Sequence, residues 1–331
     1  VDTKRLHALY SAEMPEFLTE AANTEAMQRL KQVGMNCGCE YTSFPRFKNI
    51  EQYSRFDHSV GAALVVWHFT RDKAQALSGL FHDISTPTFA HVIDFLLGDH
   101  MTQEATENDT AKVIENSREL CKILADYGIS TDGVSDYHRY PVADNDSPRL
   151  SADRLEYSLG NMLNYGIRGF EEIESYYRDL TLMENEDGEE EIAFKSLCIA
   201  ADFAKGALEC SKIYVSDEDR YSMQILAELV GDAVKCGVLN KADLNGTEPE
   251  LIKKLCADEA FSRRWQSFCG MSRMSVSHVD KGGAWRKIFA KKRFINPLIA
   301  GQGRLTELCE DYKAQLDGFI SASQDYWIMG E

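Results

Sequence analysis

The chain has 331 residues, 44% of them apolar, enough to bury a sizeable core in one large domain or two closely packed ones. A formal net charge of −17 repels phosphodiester backbones and anionic membrane surfaces, which excludes extended nucleic-acid binding but leaves room for a small anion in a locally basic or metal-bearing pocket. No apolar run approaches the ~20 residues of a membrane span, the first residues lack the apolar core of a signal peptide, and nine scattered cysteines read as reduced thiols, so the expected location is the cytoplasm.

Apolar residues recur at helical spacing through most of the chain and period-two alternation is rare, which makes the protein mainly α-helical. Residues 15–33 read as one or two helices ended by Gly34, with a loop through Cys37, Tyr41 and Pro45 behind them. Asp57 or Ser59 can cap a helix over about 58–70. A second helix, over about 73–84, turns Leu77, Leu80 and Phe81 inward and is stopped by Pro87, which puts His82 and Asp83 in its last turn. A third, over about 88–97, packs through Phe89, Val92, Ile93 and Leu96 and carries His91 and Asp94 on another face.

From Gly98 to Thr110 the chain is polar and loop-like, and a helix follows near 111–127. Residues 131–150, rich in Gly, Pro and Asp, lead to a helix capped by Ser151, with Asp153 in its first turn and Leu155, Leu159, Met162 and Leu163 as its apolar stripe. Beyond an acidic loop at 183–191, helices are expected near 192–213 and 218–236, then shorter ones through 248–270 and a final one near 303–320. Residues 271–301 are basic, Gly-bearing and locally β-prone, the one cationic cluster in an acidic chain.

A His-Asp dipeptide inside an otherwise apolar helix is hard to explain by packing. With His58 heading one helix and Asp153 opening another, His82 and Asp83 complete a set of two imidazoles and two carboxylates delivered by three helices. Such a set suits one divalent ion, Mn, Fe, Zn, Co or Mg, with imidazole arguing against Mg alone. Taken singly, each histidine reads as structural and Asp153 as an acid favoured by the helix dipole; the combination points to a metal. His7, His68, His100 and His278 stay structural.

The order His58, His82-Asp83, Asp153, carried by RFDHSVG, HDISTPTFAHVID and ADRLEYSLGNM, resembles the signature of the HD-domain metal-dependent phosphohydrolases. It is most similar to the branch containing the deoxynucleoside triphosphate triphosphohydrolases, whose typical text is RFEHSLG, HDxGHxPFSHxxD and DxxDYxxRD. The similarity covers roughly residues 25–165. It implies an all-α HD-domain helical bundle as a metal-binding core over 1–165, with a mainly helical C-terminal region over 166–331 packed on it and a basic loop near 281–297. It also implies a hydrolase in which water activated by the metal attacks phosphorus of a nucleotide or other small phosphate ester. Arg55 would then contact substrate phosphate, His91 the phosphate nearest the sugar, and Asp94 would orient a catalytic histidine, while Arg154 and Tyr157 line the nucleotide pocket. A homo-oligomer would fit the same family.

Three departures bear on the substrate. Thr86 stands where the triphosphohydrolases have a histidine, Asn161 where they have an acid, and the general-acid histidine is missing from the polar segment, leaving Glu104 or Glu107 to transfer the proton from a raised pKa. The chemistry is then either triphosphohydrolysis with a substituted acid or attack on an easier ester, a monophosphate or cyclic phosphodiester. Lys292 and Arg293 form either a phosphate-gripping loop over the metal or a solvated lysine-rich turn. The alternative from another class is a catalytically weak HD protein that binds a nucleotide as a sensor or regulatory module. A di-iron oxygenase is disfavoured, because only His91, His100 and His138 lie between the HD pair and Asp153 to hold a second ion.

Overall fold

The computed structural model describes residues 1–48, 50–93 and 109–331. Helices α1 (Thr3–Tyr10), α2 (Glu16–Ala22) and α3 (Glu25–Gln28) precede a short antiparallel contact, in which Arg55 donates its amide to the Val33 carbonyl and Met35 donates to that of Tyr53. This contact delivers the chain to α4 (Arg55–Thr70). The helix begins earlier than Asp57 or Ser59 would set it. Ser54 accepts from the Asp57 amide while the Asp57 carboxylate accepts from the Ser54 amide, a reciprocal cap that makes Arg55 the first helical residue. Val60 to Val66 are all buried, so α4 is a core helix.

Helix α5 (Lys73–Phe81) starts on the Asp72 carboxylate and ends at His82, so the His-Asp pair lies in the turn that follows. The helix expected over 88–97 does not begin at 88. Residues 88–91 form a turn in which Phe89 and Ala90 have φ of 62° and 49°. Two neighbours prevent the helical start: the Thr88 amide donates to the Leu244 carbonyl at 2.7 Å, and the buried Phe89 ring packs beside Tyr41 and Trp265. Left-handed backbone at non-glycine residues costs on the order of 1–3 kcal/mol each and persists where the surroundings over-determine it.

The single helix expected near 111–127 is two, α6 (Thr110–Asn116) and α7 (Arg118–Asp126), because Ser117 leaves the helix and caps α7 with its hydroxyl. Helix α8 (Ala152–Asn164) starts on Ser151 as expected. After α9 (Phe170–Arg178), the stretch read as an acidic loop is a hairpin of β1 (Leu180–Glu184) and β2 (Glu190–Phe194). Its turn is built by the Asn185 side chain, which accepts from the amides of Asp187 and Glu189, and by Gly188 at φ 78°. Charge misled the reading here, since Glu191 is fully buried on the β2 face and paired with Arg304.

Helices α10 (Leu197–Tyr214), α11 (Asp217–Lys235), α12 (Glu248–Ala257) and α13 (Glu259–Gly270) follow, then β3 (Met274–Ser277), β4 (Leu298–Ile299), β5 (Gly303–Arg304), α14 (Leu305–Leu308), α15 (Glu310–Ser321) and β6 (Trp327–Gly330). Strands β1, β2, β4 and β5 form one sheet and β3 pairs with β6. Two apolar cores result. The first gathers α1, α2, α4, α5, α8, α10 and α15, and the second gathers residues around Cys37–Phe47 with α11, α12 and α13. Ile84 belongs to the first, Phe89 and Val92 to the second, so the chain crosses between cores directly after the His-Asp pair.

Candidate metal centre

The first turn of α4, the end of α5 and the first turn of α8 converge. His58, His82 and Asp83 are all buried and offer ligand atoms within 4.8 Å of one another. The two imidazoles face each other through Nε2 at 3.1 Å, and Asp153 Oδ1 lies 2.9 Å from His58 Nε2 and 3.6 Å from His82 Nε2. Asp83 Oδ2 is 3.5 Å from His82 Nε2.

The donor and acceptor assignments show what this cluster lacks. His82 Nδ1 donates to the Gly79 carbonyl at 2.7 Å and His58 Nδ1 donates to Glu156 Oε2 at 2.6 Å; both partners can only accept, so on each ring Nε2 is the nitrogen that faces the cluster and can take a metal or a proton. Two imine nitrogens and two carboxylate oxygens therefore point at one another in a buried site. Such a set needs a cation, and its mixed nitrogen and oxygen chemistry fits a divalent transition ion. The electrostatics agree. Burial opposes charge on His58, yet its bonds to Asp153 and Glu156 overcome this and push it up to about 10. Burial would likewise raise Asp83 and Asp153, but the Arg55 guanidinium and the histidines hold Asp83 well below the usual carboxylate range, and the bond from His58 does so for Asp153.

No family model matches the chain. It is 26% identical over 243 residues to the uncharacterized protein YdhJ of Bacillus subtilis, a match covering 73% of this chain and 71% of that one. It is 27% identical over 233 residues to the metal-dependent phosphohydrolase cns2 of Cordyceps militaris, covering 66% of this chain and 62% of the fungal protein, less than two thirds of its length. A phosphohydrolase from Bacteroides thetaiotaomicron has the same fold, with a TM-score of 0.66 and 14% identity over 96% of both chains. The fungal relative and the solved neighbour both carry the name phosphohydrolase. Among the described residues no helix is long and apolar enough to cross a membrane.

Around this cluster the other residues singled out by sequence fall into distinct positions. Arg55 is buried and places Nη1 3.0 and 3.3 Å from the two oxygens of Asp83, so its first partner is a candidate ligand. Tyr157 follows Glu156 on α8 with its ring 6.4 Å from that of His58, and Arg293 is near enough to act on its hydroxyl. His91 is half-buried in the turn after the left-handed pair. The structure turns Arg154 another way: Nε donates to the Arg149 carbonyl at 2.7 Å, Nη1 pairs with Asp144 at 3.0 Å and Nη2 bonds Asn145. Lys292 donates to the carbonyls of Ile320 and Ala322 at the end of α15, so its ammonium serves as a helix cap. Asp94, Glu104 and Glu107 lie outside the described residues, as does His100.

Sequence reasoning missed an outer layer that holds the ligands. Glu156, fully buried, accepts from His58 and from the Tyr53 hydroxyl at 2.5 Å. One helix thus delivers both a candidate ligand, Asp153, and the anchor of another candidate, His58, the pairing of carboxylate and imidazole that suits a metal site. The signal was present, because an acid three after Asp153 shares its helical face and the family text has an acid there. Gly61 and Gly160 make the space: a Cβ at Gly61 would sit 2.4 Å from Glu156 Oε1, and one at Gly160 2.4 Å from the Tyr53 oxygen. Thr86, the departure from the family text, donates its hydroxyl to Asp83 Oδ1 at 2.7 Å. Arg29 closes the layer by donating to the carbonyls of Ile84, Thr86 and Gly246 at 3.0, 2.7 and 3.0 Å.

Proposed function

We propose that this chain hydrolyses a small phosphate ester with one divalent ion held by His58, His82, Asp83 and Asp153, nucleotides being the foremost substrate class. The observation that carries the reading is the convergence of the two Nε2 atoms and the carboxylate oxygens described above, a buried set that demands a cation and, without a metal, draws a proton onto His58. A divalent ion bound there would polarise a phosphoryl oxygen and acidify water. The chain's own residues hold the geometry. Gly79 and Glu156 fix the imidazole tautomers, Arg55 and Thr86 orient Asp83, and Tyr157 with Arg293 offers a ring and a positive charge to a phosphorylated ligand at the edge of the centre. The engagement of Arg154 and Lys292 elsewhere leaves few described cations for a polyphosphate tail, which favours a monophosphate or cyclic ester over a triphosphate. His91, Asp94, Glu104 and Glu107 keep their expected roles in substrate contact and proton transfer.

The sensor reading has one observation in its favour: Thr86, in place of a family histidine, is committed to Asp83 and brings no group to the substrate. One experiment separates the two. Purified protein is analysed for metal and assayed with Mn against dNTPs, NTPs, nucleoside monophosphates and cyclic nucleotides. Phosphate release that Asp83→Ala abolishes is the expected result; tight nucleotide binding without turnover under any metal would establish the sensor instead.

A further inference from the structure

A cleft on the first core takes no part in the proposed hydrolysis. Its volume of about 510 Å³ is that of a small-ligand site, and it lies where α1, the C-terminal end of α4, α9 and the residue after β2 meet. His68 lines it. This residue is ten positions beyond His58 on α4, about 15 Å along the helix axis at ~1.5 Å per residue, so the cleft is separate from the metal centre.

The lining is in part apolar and aromatic, through Leu9, Phe170, Tyr177 and Leu180. The Tyr177 ring stands edge-on to that of His68 at 5.4 Å, and its hydroxyl donates to the Tyr10 carbonyl at 3.3 Å. His68 Nδ1 donates to the same carbonyl at 3.1 Å. Both rings are therefore fixed in place, so a ligand that covers them need not order them.

The rest of the lining is cationic, in a chain of net charge −17. Arg5, Arg178 and Lys195 bring three positive charges, and Glu174 is the one acid among the described lining residues. Glu174 is bound to Arg178 at 2.5 Å, which leaves Arg5 and Lys195 unbalanced. The Arg5 guanidinium stacks on the Phe170 ring, 3.6 Å from its centroid, and donates no hydrogen bond among the described residues. Lys195 uses one N–H, on the Arg178 carbonyl at 3.3 Å. Burial, and after it the charges of Arg71 and Lys195, hold His68 below its ordinary value against its bond to Tyr10, so a positive field reaches the wall of the cleft.

Two unbalanced cations beside fixed rings match a dianion attached to a flat body. We infer that this cleft binds a phosphate monoester of an aromatic or heteroaromatic compound, with Arg5 and Lys195 on the phosphate and the rings of Tyr177 and His68 against the ligand's ring. The planar fork of Arg5 suits two phosphate oxygens at once. A monoanion would leave one cation unanswered, and a bare phosphate would leave the rings uncovered.

The test is calorimetric titration at pH 8 with phenylphosphonate, a dianion whose carbon–phosphorus bond is no substrate for ester hydrolysis. Methylphosphonate and inorganic phosphate are titrated beside it. Wild type, metal-free and Mn-loaded, is compared with Arg5→Gln and Lys195→Glu, two exposed positions whose replacement leaves the fold intact by circular dichroism. Phenylphosphonate should bind about tenfold more tightly than the other two anions, equally with and without Mn to within about twofold, and about tenfold or more weakly in each variant. Affinity that requires Mn, or that neither variant weakens, would place the phosphonate at the metal centre and overturn the inference. Methylphosphonate or phosphate binding as tightly as phenylphosphonate would overturn it too, as would no binding by wild type.

Discussion

The metal centre and the basic segment of residues 281–297 are both dense in charge, and they differ in whether that charge is balanced. In the basic segment Arg286 makes a two-pronged pair with Glu228 at 2.7 and 2.8 Å, Lys287 pairs with Asp325, Lys281 lies over the Trp285 ring at 4.7 Å, and Lys292 caps α15. These cations fasten the segment to the rest of the fold. At the metal centre the acceptors converge with Arg55 alone as permanent counter-charge, and Arg55 approaches from outside the ring of lone pairs. A cluster of charge in sequence is therefore a poor guide to a site. What marks the site is buried charge left one cation short.

The contrast can be broken most directly at Asp83. Asp83→Ala removes a ligand and strands the buried Arg55, so metal binding should be lost and turnover should fall by several kcal/mol of transition-state stabilisation, on the order of 10³-fold or more. Metal analysis and initial rates check both; a variant that keeps stoichiometric metal would refute the ligand assignment. The outer layer should give the next largest effect. Gly61→Ala leaves every ligand intact but drives a methyl into Glu156, and Glu156→Gln weakens its hold on His58; each should weaken Mn affinity by about 10- to 100-fold with the helix content unchanged.

Acidity sharpens the comparison from another side. In metal-free protein His58 is raised to about 10 from its ordinary value, so the stability its charge contributes is complete below the ordinary histidine range and is lost as pH rises through about 10. The melting temperature of the metal-free protein should fall between pH 7 and 10. Mn replaces the proton with a cation and should flatten that fall, and its binding should release protons near neutral pH. A metal-free profile that is flat over this range would contradict the proton held by His58 between Asp153 and Glu156. The smallest effect belongs to the basic segment. Arg286→Ala should cost about 1 kcal/mol in a denaturant titration, because the Glu228 pair is partly exposed, and should leave KM for the substrate within about twofold.

The clustering of His58, His82, Asp83 and Asp153 was legible in the sequence because metal chemistry restricts residue type as well as spacing, and the helices that bring them together were legible with it. The groups that hold those ligands were less legible, since a carboxylate such as Glu156 on an amphipathic helix looks like any solvated glutamate until its burial is known. Local pattern also failed where distant partners overrode it. Phe89 and Ala90 have helical neighbours in sequence, but a carbonyl from Leu244 and rings from Tyr41 and Trp265 decide their backbone. In the hairpin at β1 and β2, the run of acids hid a strand whose inner glutamate is neutralised by Arg304, more than a hundred residues away.

The crossing of the chain between its two cores, immediately after Asp83, would make an ion bound at the cluster a reporter on a part of the protein that it never touches. Arg29 clasps the carbonyls of the metal-bearing turn and of Gly246 together, Thr88 is fastened to Leu244, and Phe89 is a member of the second core. Loosening α12 or α13 would therefore slacken the turn that carries His82 and Asp83, as when a local opening in one cooperative unit is felt in its neighbour.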